Sequence, residues 1–135
     1  MAARSGSARS SKPRKGSTPP LSALDLGIDL GTTRTVVARA DRGNYPVLSF
    51  TDTNGDSHDY YPSLTALTDD GLVHGFRARR AARQGAPLLR SLKRTLAAPS
   101  VSAASPVALG DRTLGVGEVL VSFLMSVTGI GLAAA

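Results

Sequence analysis

Beyond residue 20 the apolar positions fall in short, strand-length runs separated by polar turns, and only later take up a helical period. Asp25 to Leu30 and Arg34 to Ala40 read as strands, with Val36 and Val37 favouring extended backbone, and Gly31-Thr32-Thr33 links them into a β-hairpin. Asp41-Arg42-Gly43-Asn44 is a second turn, leading into a strand from Pro46 to Thr51, so three antiparallel strands are expected to open the domain. The Asn-Gly pair within Asp52 to Asp56 marks a third turn, and Asp69-Asp70-Gly71 a tight hairpin between Ser63 to Thr68 and Leu72 to Gly75.

The period then changes. Phe76 to Gln84 and Leu88 to Leu96 place Arg, Ala and Leu at helical spacing, which predicts two short helices broken by Gly85-Ala86-Pro87. Ala97 to Pro106 is a loop of small residues. Val107 to Leu109 and Thr113 to Gly115 suit a hairpin around Gly110-Asp111-Arg112. From Gly117 a final helix should bury Leu120, Phe123, Leu124 and Val127, which follow the i, i+3, i+4, i+7 rule. Antiparallel strands followed by short helices make the class α/β, with an α+β local order.

Composition narrows this picture. At 135 residues and 41% apolar content the chain suits one domain. Of its net charge of +6, five units come from Arg4, Arg9, Lys12, Arg14 and Lys15, which stand among Ser, Gly and Pro with no acid. Residues 1–20 therefore bury too little to offset the entropy of ordering, and a disordered basic tail is expected. An organellar transit peptide would need an amphipathic face that the tail lacks, and a secretory signal would need an apolar stretch after the basic residues. With no cysteine there is no disulfide framework and no thiolate chemistry, which is compatible with a cytoplasmic location. His58 and His74 have no metal-ligand spacing and are given no role.

Two features suggest partners. Arg77, Arg79, Arg80, Arg83, Arg90, Lys93 and Arg94 have no acid among them, and the ordinary reading is a solvated basic face. A non-enzymatic adaptor that grips nucleic acid or an acidic partner is the alternative, disfavoured for nucleic acid because the run from Arg77 to Arg94 holds no aromatic residue for base stacking. Val119 to Ala135 is uncharged, which raises a C-terminal membrane anchor, but two serines and two glycines in so short a run fit an amphipathic helix better.

The stretch Leu24 to Ala40 raises the sharper chemical question, because Asp29, Gly31, Thr32 and Thr33 interrupt an apolar run. A Gly-Thr-Thr turn offers backbone N–H groups and two hydroxyls at one point, a small concavity for anionic oxygens. Asp29 would repel a bare phosphate, but it suits a Mg²⁺ ion held through water between carboxylate and phosphate. An ordinary polar turn with Asp29 exposed or capping explains the segment equally well.

Gly27-Ile28-Asp29-Leu30-Gly31-Thr32-Thr33 resembles the first phosphate-binding motif of the heat-shock protein 70 (DnaK-type) chaperones, whose ATPase domain has the actin-like fold. Further motifs stand in the family's order. Tyr61-Pro62-Ser63 resembles its Thr-Pro-Ser, Val73-His74-Gly75 its Val-Gly turn into a helix, and Ser91-Leu92-Lys93-Arg94 its Lys-Arg pair. The resemblance runs from about Leu24 to Val127. It implies that residues 21–127 form the opening part of the first ATPase lobe, with a mixed sheet and short helices, and that residues 128–135 are a divergent end.

Carried over by residue, the resemblance implies that Asp29 reaches a hydrated Mg²⁺, that Gly31, Thr32 and Thr33 hold phosphate oxygens of ATP or ADP, and that Lys93 is the catalytic cation beside the γ-phosphate. Arg34 stands where the family usually has Asn or Tyr and adds a second cation near the phosphates. Arg94 supports the same region or remains a surface charge. The family's second phosphate loop, its catalytic acids, its adenosine clamp and its peptide-binding domain have no counterpart in these residues. The expectation is therefore a fragment of a stress-response protein-folding chaperone, carrying an ATP half-site without independent turnover. Unfolded clients and co-chaperones are implied only for full-length members, and neither nucleic acid nor a membrane is an expected partner.

Overall fold

The computed structural model of the protein describes residues 25–134, with side chains as far as residue 129. The basic tail expected over residues 1–20 lies outside the described residues. Strands β1 (Leu26–Leu30), β2 (Arg34–Arg39), β3 (Phe50–Thr51), β4 (Ser57–His58), β5 (Tyr61–Pro62), β6 (Thr65–Thr68) and β7 (Gly71–His74) precede helix α1 (Gly75–Arg83). Then come β8 (Leu88–Leu89), α2 (Leu92–Leu96), β9 (Pro106–Leu109), β10 (Arg112–Gly115) and α3 (Val116–Ala134). The strand pairings among the described residues are antiparallel, so the fold is mixed α/β with antiparallel sheets and few helices.

The first hairpin forms as its pattern predicts, with Leu30 opposite Thr35 and Leu26 opposite Arg39. The Gly31 N–H donates to the Arg34 carbonyl at 3.0 Å and closes the loop around Thr32 and Thr33. A Cβ on Gly31 would lie 2.3 Å from that carbonyl oxygen, so only glycine lets the backbone turn this tightly. The far edge of β2 pairs with β5, giving the sheet order β1-β2-β5.

The third opening strand does not form as expected. Residues 46–48 do run beside β2, through the Arg39 N–H to Pro46 carbonyl bond at 3.0 Å and the Leu48 N–H to Val37 carbonyl bond at 2.8 Å. Only a single bridge, Ala38 to Val47, joins them. The reason is competition for one edge: β5 takes Arg34 and Thr35, so the chain leaves β2 after Leu48 and Phe50–Thr51 pairs with β4 instead. The Asp69-Asp70-Gly71 hairpin forms between β6 and β7, and the Gly110-Asp111-Arg112 hairpin between β9 and β10.

The expected helix from Leu88 to Leu96 is the second correction. Leu88–Leu89 is a strand paired with β6 through Ala66 and Thr65, and the helix covers only Leu92–Leu96. The free edge of β6 captures the start of the segment, helped by the Leu67 N–H donating to the Pro87 carbonyl at 3.1 Å. Ser91 then caps α2 in an extended conformation, its side chain accepting from the Arg94 N–H.

The core has two apolar clusters, and α3 contributes to both. Val37, Leu48, Phe50, Tyr61, Phe76, Phe123 and Val127 form one. Leu92, Leu109, Leu114 and Val119 form the other, against half-buried Leu67, Leu72 and Leu89. The buried stripe of α3 is Val116, Val119, Phe123 and Val127. Leu120 and Leu124, expected in the core beside Phe123 and Val127, are half-buried at the cluster margins. The helix enters directly from β10, so Val116 and Val119 rather than Leu120 meet the layer beneath them.

Candidate functional site

The Thr32-Thr33 turn is exposed, and its surroundings are held by buried polar contacts. The Thr33 carbonyl accepts the Ser63 N–H at 3.1 Å. The Thr35 and Ser63 hydroxyls hydrogen-bond at 2.8 Å in the interior. The turn is thereby fastened to the segment that follows β5. Gly75 fastens the other wall: it opens α1 with φ +63°, and a Cβ there would come 2.2 Å from the Tyr61 ring. This close contact lets α1 pack directly on β5.

Between these walls lies a cleft of about 570 Å³. Thr32 and Thr33 form one side, Arg79 and Arg83 project from α1, and Arg90, Ser91 and Arg94 come from the β8–α2 segment. Arg79 and Arg83 are four residues apart on one helix, which puts both on one face. No carboxylate lines the cleft, and none of the four guanidinium groups is ion-paired among the described residues. Arginine stays charged at any ordinary pH, so the cleft is a cationic concavity edged by the hydroxyls of Thr32, Thr33 and Ser91.

The other residues singled out in the sequence stand outside the cleft lining. Gly31 shapes the turn from behind. The Arg34 guanidinium lies 4.3 Å from the centre of the Tyr60 ring, a cation–π contact with a residue that does not line the cleft. Asp29 is exposed on β1 opposite Val36, with no ion pair or side-chain hydrogen bond among the described residues. Lys93 is exposed on α2, between buried Leu92 and cleft-lining Arg94. The first hairpin and the α2 segment thus meet at one cleft through Thr32, Thr33, Ser91 and Arg94.

Arg79, Arg83 and Arg90 were legible only as part of a basic run. The four-residue spacing of Arg79 and Arg83 on one helix is a signal that could have set those two apart from a uniformly solvated face, whereas Arg90 precedes α2 and carries no such signal. What that spacing does not contain is the packing that brings α1 against the turn.

Neither histidine lies in the cleft lining. His74 is buried at the β7–α1 junction, with Nδ1 2.9 Å from the Thr65 hydroxyl and Nε2 2.7 Å from the Ser122 hydroxyl. Burial lowers its pKa to about 4, so the ring is neutral at physiological pH. His58 lies 2.8 Å from an Asp52 carboxylate oxygen, and this bond holds the Asp52 carboxyl below its usual range.

Among the described residues no three His, Asp or Glu side chains gather as a metal-binding group. Asp29, exposed and unengaged, fits a metal held through its water shell and not a dedicated protein cage. No helix among the described residues is long and apolar enough to cross a membrane. Compared with known proteins, the chain matches no protein-family model and no curated protein.

Proposed function

We propose that the chain is the phosphate-binding part of an ATP-binding lobe of the heat-shock protein 70 type, with the actin-like arrangement that this implies. The observation that carries the reading is the meeting of the Thr32-Thr33 turn with Arg79, Arg83, Arg90 and Arg94 around one cleft. Hydroxyls, a tight glycine turn and arginine side chains from two segments are the donors that anionic phosphate oxygens require. The order of the motifs along the chain, from Gly27 to Arg94, supports the same reading.

In this reading Thr32 and Thr33 hold phosphate oxygens, and Gly31 sets the backbone that presents them. Arg94 and the α1 arginines neutralise phosphate charge. Lys93, next to Arg94 on α2, is assigned to the γ-phosphate, and Asp29 to the water shell of a Mg²⁺ ion accompanying the nucleotide. Bound there, the metal would supply charge neutralisation on the phosphates. These residues bind and orient phosphates without surrounding the reacting oxygens, so the chain binds nucleotide and does not turn it over at a chaperone's rate. Clients and co-chaperones belong to whole members of that family, and no residue here is assigned to them.

Binding of a fluorescent ATP analogue to the purified chain tests the proposal. Saturable binding displaced by ATP and ADP but not by adenosine is the expected result. Absence of any ATP-displaceable binding contradicts it.

A further inference from the structure

We infer that the cleft takes an oligophosphate, a run of at least three linked phosphates, through its arginines directly, so that binding does not require a metal. The inference rests on reading the cleft as a phosphate site and goes on to name what holds the ligand there. Its basis is the charge balance of the lining: Arg79, Arg83, Arg90 and Arg94 bring four positive charges and no Asp or Glu lies among the lining residues, while Asp52, which borders Arg79 and Arg83 in the adjoining cavity, is engaged by His58 at 2.8 Å. A phosphate monoester carries only about two negative charges and would leave the cleft cationic. A triphosphate matches it. A divalent ion already on the phosphates would cancel part of the charge that the guanidinium groups are placed to meet.

Geometry points the same way. The arginines come from two separate segments, α1 and β8–α2, with Thr32 and Thr33 on a third side, so an elongated anion can meet cations from more than one direction. Guanidinium forks bind phosphate oxygens in pairs, which makes each contact strong without a metal bridge. Asp29, the carboxylate suited to a hydrated Mg²⁺, stands outside the lining. A volume of about 570 Å³ has room for the phosphate run and more. No aromatic side chain lines the cleft, so a single-stranded nucleic acid would find no stacking platform there.

The test is isothermal titration of the full chain with inorganic tripolyphosphate and, separately, with ATP, each in EDTA and in excess Mg²⁺. Both ligands should bind in EDTA, and Mg²⁺ should not tighten the binding of tripolyphosphate. Arg83 and Arg90 are exposed, so the double variant Arg83→Gln, Arg90→Gln should fold normally and lose affinity for both ligands by at least about tenfold. The Lys, Lys variant at the same positions should fall between. ATP binding that appears only with Mg²⁺ overturns the inference and leaves the nucleotide reading intact. ATP binding in EDTA without tripolyphosphate binding also overturns it, because the nucleoside then carries the affinity. So does metal-free binding that the double Gln variant leaves unchanged. No ATP binding under either condition overturns both readings.

Discussion

The hydroxyls of Thr35 and Ser63 lie 2.8 Å apart in the interior, 28 residues apart in sequence, and join the start of β2 to the residue that follows β5. Both residues are buried, so each hydroxyl depends on the other in place of water. The contact sits directly beside the Thr33 carbonyl that accepts the Ser63 N–H, and so fixes the turn at the edge of the cleft. Thr35→Val keeps the shape and strands the Ser63 hydroxyl. It should cost about 1–3 kcal/mol in urea unfolding, with part of the loss recovered when Ser63→Ala is added. Equal and additive losses from the two single variants would show that the hydroxyls are not coupled.

Gly75 gives a second prediction. Its φ of +63° and the nearness of the Tyr61 ring act together, so Gly75→Ala meets both backbone strain and a side-chain clash. Gly85 is the control, with φ +94° and open space where a Cβ would go. Gly85→Ala should cost about 1 kcal/mol from strain alone, and Gly75→Ala should cost more by at least about 1 kcal/mol from overpacking. Denaturant midpoints of the two variants decide it. Equal losses would mean that α1 does not pack on Tyr61 as closely as described.

His74 predicts a pH dependence of stability. Its folded pKa of about 4 lies below the ordinary value of 6.5, because burial penalises the charged ring. Between these values the unfolded chain binds the proton and the folded one does not, so stability rises with pH across the window. The contribution is fully present above about pH 6.5 and is lost as pH falls toward 4, amounting to about 3 kcal/mol. His74→Gln retains a polar partner for Thr65 and Ser122 and should flatten the profile over this range. Thermal unfolding at several pH values compares the two, and identical profiles would contradict the assignment.

Local signals carried much of this fold. The hairpin turns at Gly31-Thr32-Thr33, Asp69-Asp70-Gly71 and Gly110-Asp111-Arg112 are short-range chemistry, and each forms where its residues indicate. The misplaced elements depend on contacts between distant segments. Leu88 and Leu89 are as compatible with a helix as with a strand, and only the free edge of β6, more than twenty residues earlier, decides between them. In the same way β5 displaces the expected third strand from β2. His74 carried no spacing signal, because Thr65 meets it through the register of the β6–β7 hairpin and Ser122 only once α3 has docked.

The candidate site divides along the same line. Thr32 and Thr33 were legible from a local motif. Arg79, Arg83 and Arg90 were visible as charges but had no address until α1 and the β8–α2 segment packed against the turn. The arrangement also shifts emphasis within α2: Arg94 lines the cleft, while Lys93 is exposed beside it.

In the proposed function the Thr32-Thr33 turn and the β8–α2 segment hold one phosphate ligand between them. Amide chemical-shift mapping of the ¹⁵N-labelled chain during titration with ATP tests this most directly. Thr32, Thr33, Arg90, Ser91 and Arg94 should shift together along one saturation curve, while Val107 to Leu114 in the β9–β10 hairpin stay fixed. Shifts confined to another surface, or a turn that stays fixed while the arginine segment responds, would contradict it.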